Sequence, residues 1–99
     1  MSDTAEQAWA RATFFKVGRL AAWPRKIRAQ HLVLQIVLEE FAPGEVYPER
    51  TVNTLLQPIY DDYCFLRRML IDYRYMRRDH GIYERLPPDP AETADTGAA

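Results

Sequence analysis

Hydrophobic residues recur at the three-to-four-residue spacing of an amphipathic helix in the first part of the chain. This spacing predicts a helix over residues 4–15, which Asp3 or Thr4 can cap. One stripe of this helix carries Ala8, Trp9, Ala12 and Phe15. Gly18 then interrupts the pattern, so residues 18–24 are predicted to form an irregular connector.

The second predicted helix, residues 25–41, is apolar around most of its circumference. Only three polar residues at a spacing of four interrupt its apolar surface, namely His31, Gln35 and Glu39. A helix with so narrow a polar stripe is usually buried on most sides. We therefore predict that it is the central helix of the core and that it ends at Ala42-Pro43-Gly44.

A short extended segment, two helices and a hairpin are predicted in the second half of the chain. The extended segment covers residues 45–47, and the two helices cover residues 48–57 and 62–73. Residues 74–86 contain two short apolar and aromatic runs on either side of Asp79-His80-Gly81. Because Gly81 can supply the left-handed position of a tight turn, these runs predict a two-stranded hairpin.

The predicted order is helix, long helix, short helix, helix and hairpin. Two helices joined by a short turn and followed by a β-hairpin are typical of a winged helix-turn-helix. The predicted fold class is therefore α+β, mostly α, with three to four helices and a C-terminal β-hairpin wing. In such a fold the last helix lies in the major groove of DNA, and the wing lies beside it.

The chain is almost neutral, but its charges are unevenly distributed. It has 13 basic and 14 acidic residues, a net charge of −1. Residues 87–99 hold three prolines and only acidic charges, so we predict a disordered acidic tail there. Residues 1–86 are predicted to form a single domain with an N-terminal helix. Within it, residues 7–86 carry a net charge of +4, from 13 basic and 9 acidic residues.

Composition and motifs exclude several classes of protein. The single cysteine cannot form an intrachain disulfide. No apolar run approaches the ~18 residues of a membrane span. The polar, acidic start of the sequence leads us to expect no secretory signal there. A cytoplasmic location is expected. No nucleophile, P-loop or dinucleotide-binding motif occurs, and His31, His80 and Cys64 lack the spacing of a zinc site. We expect no catalytic residues, no metal and no cofactor.

Basic residues on the fourth helix, on the wing and at the start of the second helix mark a candidate DNA-binding surface. The candidates are Arg67, Arg68, Arg74, Arg77, Arg78, Lys26 and Arg28. Arginine binds phosphates and the N7 and O6 atoms of guanine. Asp61 and Asp62 oppose this function, because carboxylates at the start of a groove-reading helix repel phosphates.

Three groups of residues, in order along the chain, resemble a known family. They are Gly18-Arg19-Leu20 with Pro24 and Lys26; Phe41-Ala42-Pro43-Gly44 with Tyr47, Glu49, Val52-Asn53 and Leu55; and Asp61-Asp62 with Leu66-Arg67-Arg68, Leu70-Ile71-Asp72, Arg77, Gly81 and Tyr83. Together they resemble the bacterial family called domain of unknown function 2087, over about residues 14–86. The resemblance implies a winged-helix-like domain, found alone or attached to helix-turn-helix transcription regulators, with no established enzyme activity. The chain departs from the pattern at Tyr60, where members often have His, and at Pro48, where members often have Ser or Thr.

The sequence leaves two functions open. The first is a cytoplasmic bacterial winged-helix module that binds DNA as a dimer and regulates transcription. The second is a protein-interaction module in which the Gly18–Lys26 loop, with Arg19 and Lys26, and the arginine face bind an acidic partner. The N-terminal helix either folds back on the second helix or forms a homodimer with the same helix of a second chain.

Overall fold

The structure, a computed structural model, describes residues 4–87. In this part of the chain four α-helices and two small antiparallel sheets form an α+β fold that is about half helical. The helices are α1 Ala5–Phe14, α2 Ile27–Val37, α3 Glu49–Leu56 and α4 Tyr63–Asp72. The strands are β1 Phe15–Lys16, β2 Arg19–Leu20, β3 Val46–Pro48, β4 Met76–Asp79 and β5 Ile82–Arg85. The predicted acidic tail lies outside the described residues, except for Pro87.

The helix starts follow from their capping residues. The Thr4 side chain accepts a hydrogen bond from the backbone N–H of Gln7, and the Gln7 side chain accepts one from Thr4, which forms a capping box. The Asp62 carboxylate accepts from the N–H of Phe65 and caps α4. No side chain caps α3, which begins directly after Pro48. All four helices lie where the sequence predicts them, with ends that differ by a few residues.

The core is built around α2, as predicted. Val33, Leu34 and Val37 of α2 are at most 1% exposed and pack against buried side chains of α3, α4 and the three-stranded sheet. The helix is shorter than predicted, because a 3-10 turn over Leu38–Glu40 replaces its last turn. No helix in residues 4–87 is both long and apolar enough to cross a membrane.

The larger sheet has the strand order β3-β5-β4, so the predicted C-terminal hairpin is confirmed and is joined by a third strand. Tyr47 of β3 and Arg78 of β4 both lie opposite Tyr83 of β5. Tyr83 is 2% exposed and points into the core. The strand β3 directly precedes α3, so this pairing joins the start of α3 to the hairpin.

The predicted irregular connector is partly wrong, because residues 15–20 form a second hairpin from β1 and β2. Its strands are only two residues long. A strand of this length is too short to show the alternation of polar and apolar residues by which a strand is predicted. Its turn has positive φ at Val17 (51°) and Gly18 (78°). The left-handed region is unfavourable for a β-branched residue, so Val17 gives no turn signal in the sequence.

The helix α1 folds back on α2, but Phe15 is the only member of the predicted stripe that packs against the contact. Ala10 is fully buried against Leu32 and Ile36 of α2, and Phe14 packs beside it. Ala8, Trp9 and Ala12 are exposed. The polar contacts Gln7–Gln35 (3.1 Å) and Arg11–Glu39 (2.5 Å) orient the helix and turn this apolar stripe outward.

Replacement of Arg74 by glycine is expected to stabilise the protein. Arg74 ends the turn after α4 with φ 63°, and its exposed side chain has no ion-pair partner among the described residues. Glycine adopts this conformation without steric cost, so Arg74→Gly should raise the free energy of unfolding by about 0.5–1 kcal/mol. Urea unfolding followed by circular dichroism measures it. A loss of stability would mean that the arginine side chain contributes contacts that outweigh the backbone strain.

Candidate nucleic-acid interface

The start of α3, the middle of α4 and the β4–β5 hairpin meet at one cluster of polar contacts. The Tyr83 hydroxyl donates to Glu49 Oε1 at 3.0 Å, and the Glu49 N–H donates to the carbonyl of Gly81 at 3.0 Å. Arg67 Nη1 donates to Asn53 Oδ1 and thereby joins α4 to α3. These contacts fix the hairpin, hereafter the wing, relative to both helices.

The Tyr83 hydroxyl is held in its neutral, donating form. Burial raises the pKa of Tyr83, and the hydrogen bond to Glu49 raises it further, while Arg67 and Arg78 act in the opposite direction. The cluster therefore keeps its central hydrogen bond at neutral pH.

We call the basic surface of α3, α4 and the wing the α3–α4–wing face; its four arginines are Arg50, Arg67, Arg68 and Arg78. Arg50 lies one helical turn before Asn53, the partner of Arg67, and is exposed on α3. Arg68 is the next residue on the exposed side of α4. Glu49 is the carboxylate within this group, and its Oε1 lies 3.9 Å from Arg78 Nε.

The two wing arginines point to opposite sides of the sheet. Side chains alternate along a strand, so Arg78 lies on the side of Tyr83 and the core, toward α3. Arg77 lies on the outer side, where its guanidinium forms a 2.6 Å ion pair with Glu84. The two side chains are similarly exposed, at 66% for Arg77 and 58% for Arg78. The structure thus assigns one of the two predicted wing arginines to the α3–α4–wing face.

The other predicted DNA-binding residues lie elsewhere. The Arg28 guanidinium forms two hydrogen bonds with the Glu6 carboxylate of α1, and this contact raises the pKa of Arg28. Lys26 and Arg74 lie at a corner between α2 and α4, where Gln30 contacts both the Arg25 carbonyl and the Tyr73 hydroxyl. Both side chains are exposed and lack an ion-pair partner among the described residues.

The loop that was predicted to bind a partner packs against the start of α4. Arg19 forms a 2.6 Å ion pair with Asp61 and donates to the carbonyl of Pro58 at 3.0 Å. The Trp23 ring packs edge-to-face against Phe65, with ring centroids 5.0 Å apart. The predicted partner-binding residue Arg19 is therefore engaged within the chain, and the charge of Asp61 is offset.

The acidic residues of α4 lie at the edge of the basic group. Asp61 and Asp62 precede the first turn of α4, at the end remote from the wing. Asp72 is exposed in the last turn. Two of these carboxylates have roles within the chain, since Asp61 pairs with Arg19 and Asp62 caps the helix. Asp72 lies one helical turn after Arg68, so one carboxylate that has no ion-pair partner among residues 4–87 borders the group of four arginines on α4.

Within residues 4–87, no group of three or more His, Cys, Asp or Glu side chains could hold a metal ion. Cys64 is a free, exposed thiol on α4. His31 is half-buried and its Nδ1 lies 2.7 Å from the Tyr75 hydroxyl, in a polar contact that joins α2 to the segment before β4. His31 thus contacts Tyr75, whereas Cys64 is exposed on a different helix, so the two side chains do not form a common site.

Sequence analysis missed Arg50 and Asn53 as members of this surface. Asn53 belongs to the residue groups that carry the family resemblance, together with Glu49, Arg67 and Tyr83. These four residues are up to 34 positions apart, and their contacts require the mutual packing of α3, α4 and the wing. Arg50 shows no periodicity signal, because it is a single exposed cation on a short helix.

A comparison with protein families found a match, and two further comparisons found none. The model of the family DUF2087, described as "Uncharacterized protein conserved in bacteria", matches residues 19–85. The match begins at β2, so α1 and β1 lie outside it. No match was found among curated proteins or among solved structures.

Removal of the Tyr83 hydroxyl is expected to destabilise the wing. Tyr83→Phe should lower the free energy of unfolding by about 1–2 kcal/mol at pH 7, because Glu49 loses its phenolic donor. The pKa of Tyr83 in the folded protein is raised above its usual value of about 10. The stabilisation should therefore be complete below about pH 10 and be lost as the pH rises through the folded pKa.

Urea unfolding of both proteins at a series of pH values provides the measurement. The difference between wild type and Tyr83→Phe should shrink above pH 10. Equal stability of the two proteins at pH 7 would show that the hydrogen bond to Glu49 does not hold the wing.

Proposed function

We propose that this chain, which belongs to the DUF2087 family, is a winged-helix module that binds duplex DNA and acts in the regulation of transcription. In this proposal it works in the cytoplasm of bacteria and catalyses no reaction. Membership of the family rests on the match over residues 19–85. The family description gives no activity, so the proposal rests on the fold and on the charged surface of this chain.

The order of elements supports a winged helix. From α2 to β5 the chain runs helix, strand, helix, helix and hairpin, and the strand β3 pairs with the last strand of the hairpin. Residues 57–62 form the short connection between α3 and α4. In this interpretation α4 corresponds to the recognition helix of a helix-turn-helix, and the β4–β5 hairpin corresponds to the wing.

The observation that carries the proposal is the α3–α4–wing face. Arg50, Arg67, Arg68 and Arg78 lie on the helix pair and wing that would meet a duplex, with the carboxylate of Glu49 beside Arg78 and that of Asp72 one helical turn after Arg68. Glu49 is itself occupied by the Tyr83 hydroxyl. The surface therefore offers several guanidinium groups to phosphates, and phosphate contacts dominate the affinity of proteins for DNA.

The charges on α4 favour phosphate contacts over base recognition. The exposed stripe of α4 holds Cys64, Arg68 and Asp72, with Asp61 before its first turn. Carboxylates at these positions repel the backbone phosphates on either side of the major groove. We therefore expect binding that depends weakly on DNA sequence and strongly on salt.

A protein partner with an acidic surface is the second candidate. The observation that favours it is the exposed cations Arg25 and Lys26 beside Arg74, at the corner between α2 and α4. Arg19, which the sequence assigned to this partner, is paired with Asp61. The α3–α4–wing face is the larger group of cations, so DNA remains the preferred ligand.

Substitution of the two neighbouring wing arginines provides a matched test. Arg78→Gln removes a cation from the α3–α4–wing face, whereas Arg77→Gln removes one from the outer side of the sheet. Fluorescence anisotropy with a random 20-base-pair duplex over a salt series measures the DNA affinity of both variants and its dependence on salt. Arg78→Gln should weaken binding and reduce the salt slope by about 0.9, the loss of one phosphate contact. Arg77→Gln should bind like wild type.

Absence of binding by the wild type even at low salt would overturn the proposal and favour the protein partner. Equal losses for Arg77→Gln and Arg78→Gln would show that no defined face binds DNA. Arg68→Gln should behave like Arg78→Gln, since its side chain has no ion-pair partner among the described residues and its loss should leave the fold intact.

A further inference from the structure

A largely apolar groove lies between α1, the β1–β2 hairpin and the end of α2. Its volume is about 530 Å³, and Ala8, Ala12, Phe15, Val17, Ile36 and Ile59 form its apolar wall. Arg11, Glu39 and Glu40 also line it. The groove lies beside the outward stripe of α1, so the two together form one continuous face.

The tip of the β1–β2 hairpin is apolar and strained. Val17 is fully exposed, at 103% of its reference area, and its φ of 51° is unfavourable for a β-branched residue. Asparagine followed by glycine is the preferred pair in this type of turn. A valine with this backbone conformation lowers the free energy of unfolding of the isolated domain. Burial of its side chain against an apolar surface would offset part of that loss. Trp9, at 52% exposure, does not line the groove, because its ring packs edge-to-face on Phe14 with centroids 5.5 Å apart.

The charges beside the groove complement each other when two copies of the chain face one another. Lys16 precedes Val17 on the hairpin, is exposed and has no ion-pair partner among the described residues. Glu40, in the wall of the groove, is likewise exposed and without an ion-pair partner in that part of the chain. A protruding apolar tip next to a cation, and an apolar groove next to an anion, are the two halves of a self-complementary contact.

We propose that the groove binds the hairpin tip of a second copy of this chain, and that the protein is a two-fold symmetric homodimer. Val17 of each copy enters the groove of the other, and Lys16 of each copy pairs with Glu40 of the other. Ala8 and Ala12 of α1, which line the groove, are covered at the same time. The N-terminal helix is then both folded back on α2 and part of the dimer contact.

The position of this face is consistent with a dimer that leaves the DNA-binding surface free. The helix α1 and the hairpin tip precede residue 19, outside the region that matches the family. They are attached to the family domain through α2 and the 3-10 turn, in contacts such as Arg11–Glu39 and Gln7–Gln35. The α3–α4–wing face is built from other elements, so the dimer and the DNA-binding proposal stand independently.

Charge reversal in a double-mutant cycle tests the dimer. Sedimentation equilibrium of the wild type should show a monomer–dimer equilibrium. Lys16→Glu and Glu40→Lys should each weaken association by about tenfold or more, because each places like charges together twice in the symmetric contact. The double variant Lys16→Glu/Glu40→Lys should recover most of the affinity. Glu45→Lys, a charge reversal of an exposed residue away from the groove, should associate like wild type.

Val17→Asn serves as a variant that is expected to fold at least as well as wild type. Asparagine suits the left-handed turn, so a loss of dimer cannot be attributed to loss of the hairpin. We expect Val17→Asn to be mainly monomeric while its circular dichroism spectrum is unchanged. A wild type that stays monomeric up to about 0.5 mM has a dimer dissociation constant above the millimolar range. That result would overturn the proposal. A dimer that none of these substitutions affects would overturn the proposed contact.

Discussion

The position of the wing depends on Tyr83. Its ring is 2% exposed in the core, its strand pairs with both β3 and β4, and its hydroxyl donates to Glu49 at the start of α3. One side chain therefore connects the hydrophobic core, the three-stranded sheet and the first helix of the helix pair. A buried phenol hydroxyl without a hydrogen-bond partner would lower the stability of the fold. The hydrogen bond to Glu49 therefore also fixes the orientation of the first turn of α3. The placement of the wing relative to α3 follows from this contact, and the hydrogen bond from Arg67 to Asn53 joins α4 to α3.

The many arginines of the chain divide into two functional groups. Some hold elements together within the chain: Arg11 and Arg28 attach α1, Arg19 attaches the Gly18–Lys26 loop to the start of α4, and Arg85 donates to the carbonyls of Leu38 and Phe41. Others, such as Arg50 and Arg68, are exposed without an ion-pair partner in the described part of the chain. In the α3–α4–wing face Arg67 donates to Asn53 and Arg78 Nε lies 3.9 Å from Glu49 Oε1, so only Arg50 and Arg68 can bind a ligand without loss of a polar side-chain contact within residues 4–87. This division, more than the net charge, determines which surface is a candidate for binding.

Much of the fold could be predicted from the sequence, whereas the site could be predicted only in part. The helices and the C-terminal hairpin carry long periodic patterns, caps and a glycine turn, which are local signals. The β1–β2 hairpin was missed because its strands have two residues each and its turn places a valine in the left-handed region. The partition of the arginines was not predictable, because a pair such as Arg19 and Asp61 joins residues 42 positions apart. Likewise Arg77 and Arg78 are equivalent in sequence, and only the pairing of β4 with β5 assigns them to opposite sides.

A nuclear magnetic resonance titration with duplex DNA would test the central claim most directly. Backbone amide signals of the ¹⁵N-labelled chain would be followed as a short duplex is added at low salt. If the α3–α4–wing face binds DNA, shifts should concentrate in α3, the exposed side of α4 and β4, including Arg50, Arg68 and Arg78. Signals of α1 and the β1–β2 hairpin should change little. Shifts confined to the Gly18–Lys26 loop and the start of α2, or no shifts at all, would contradict the claim.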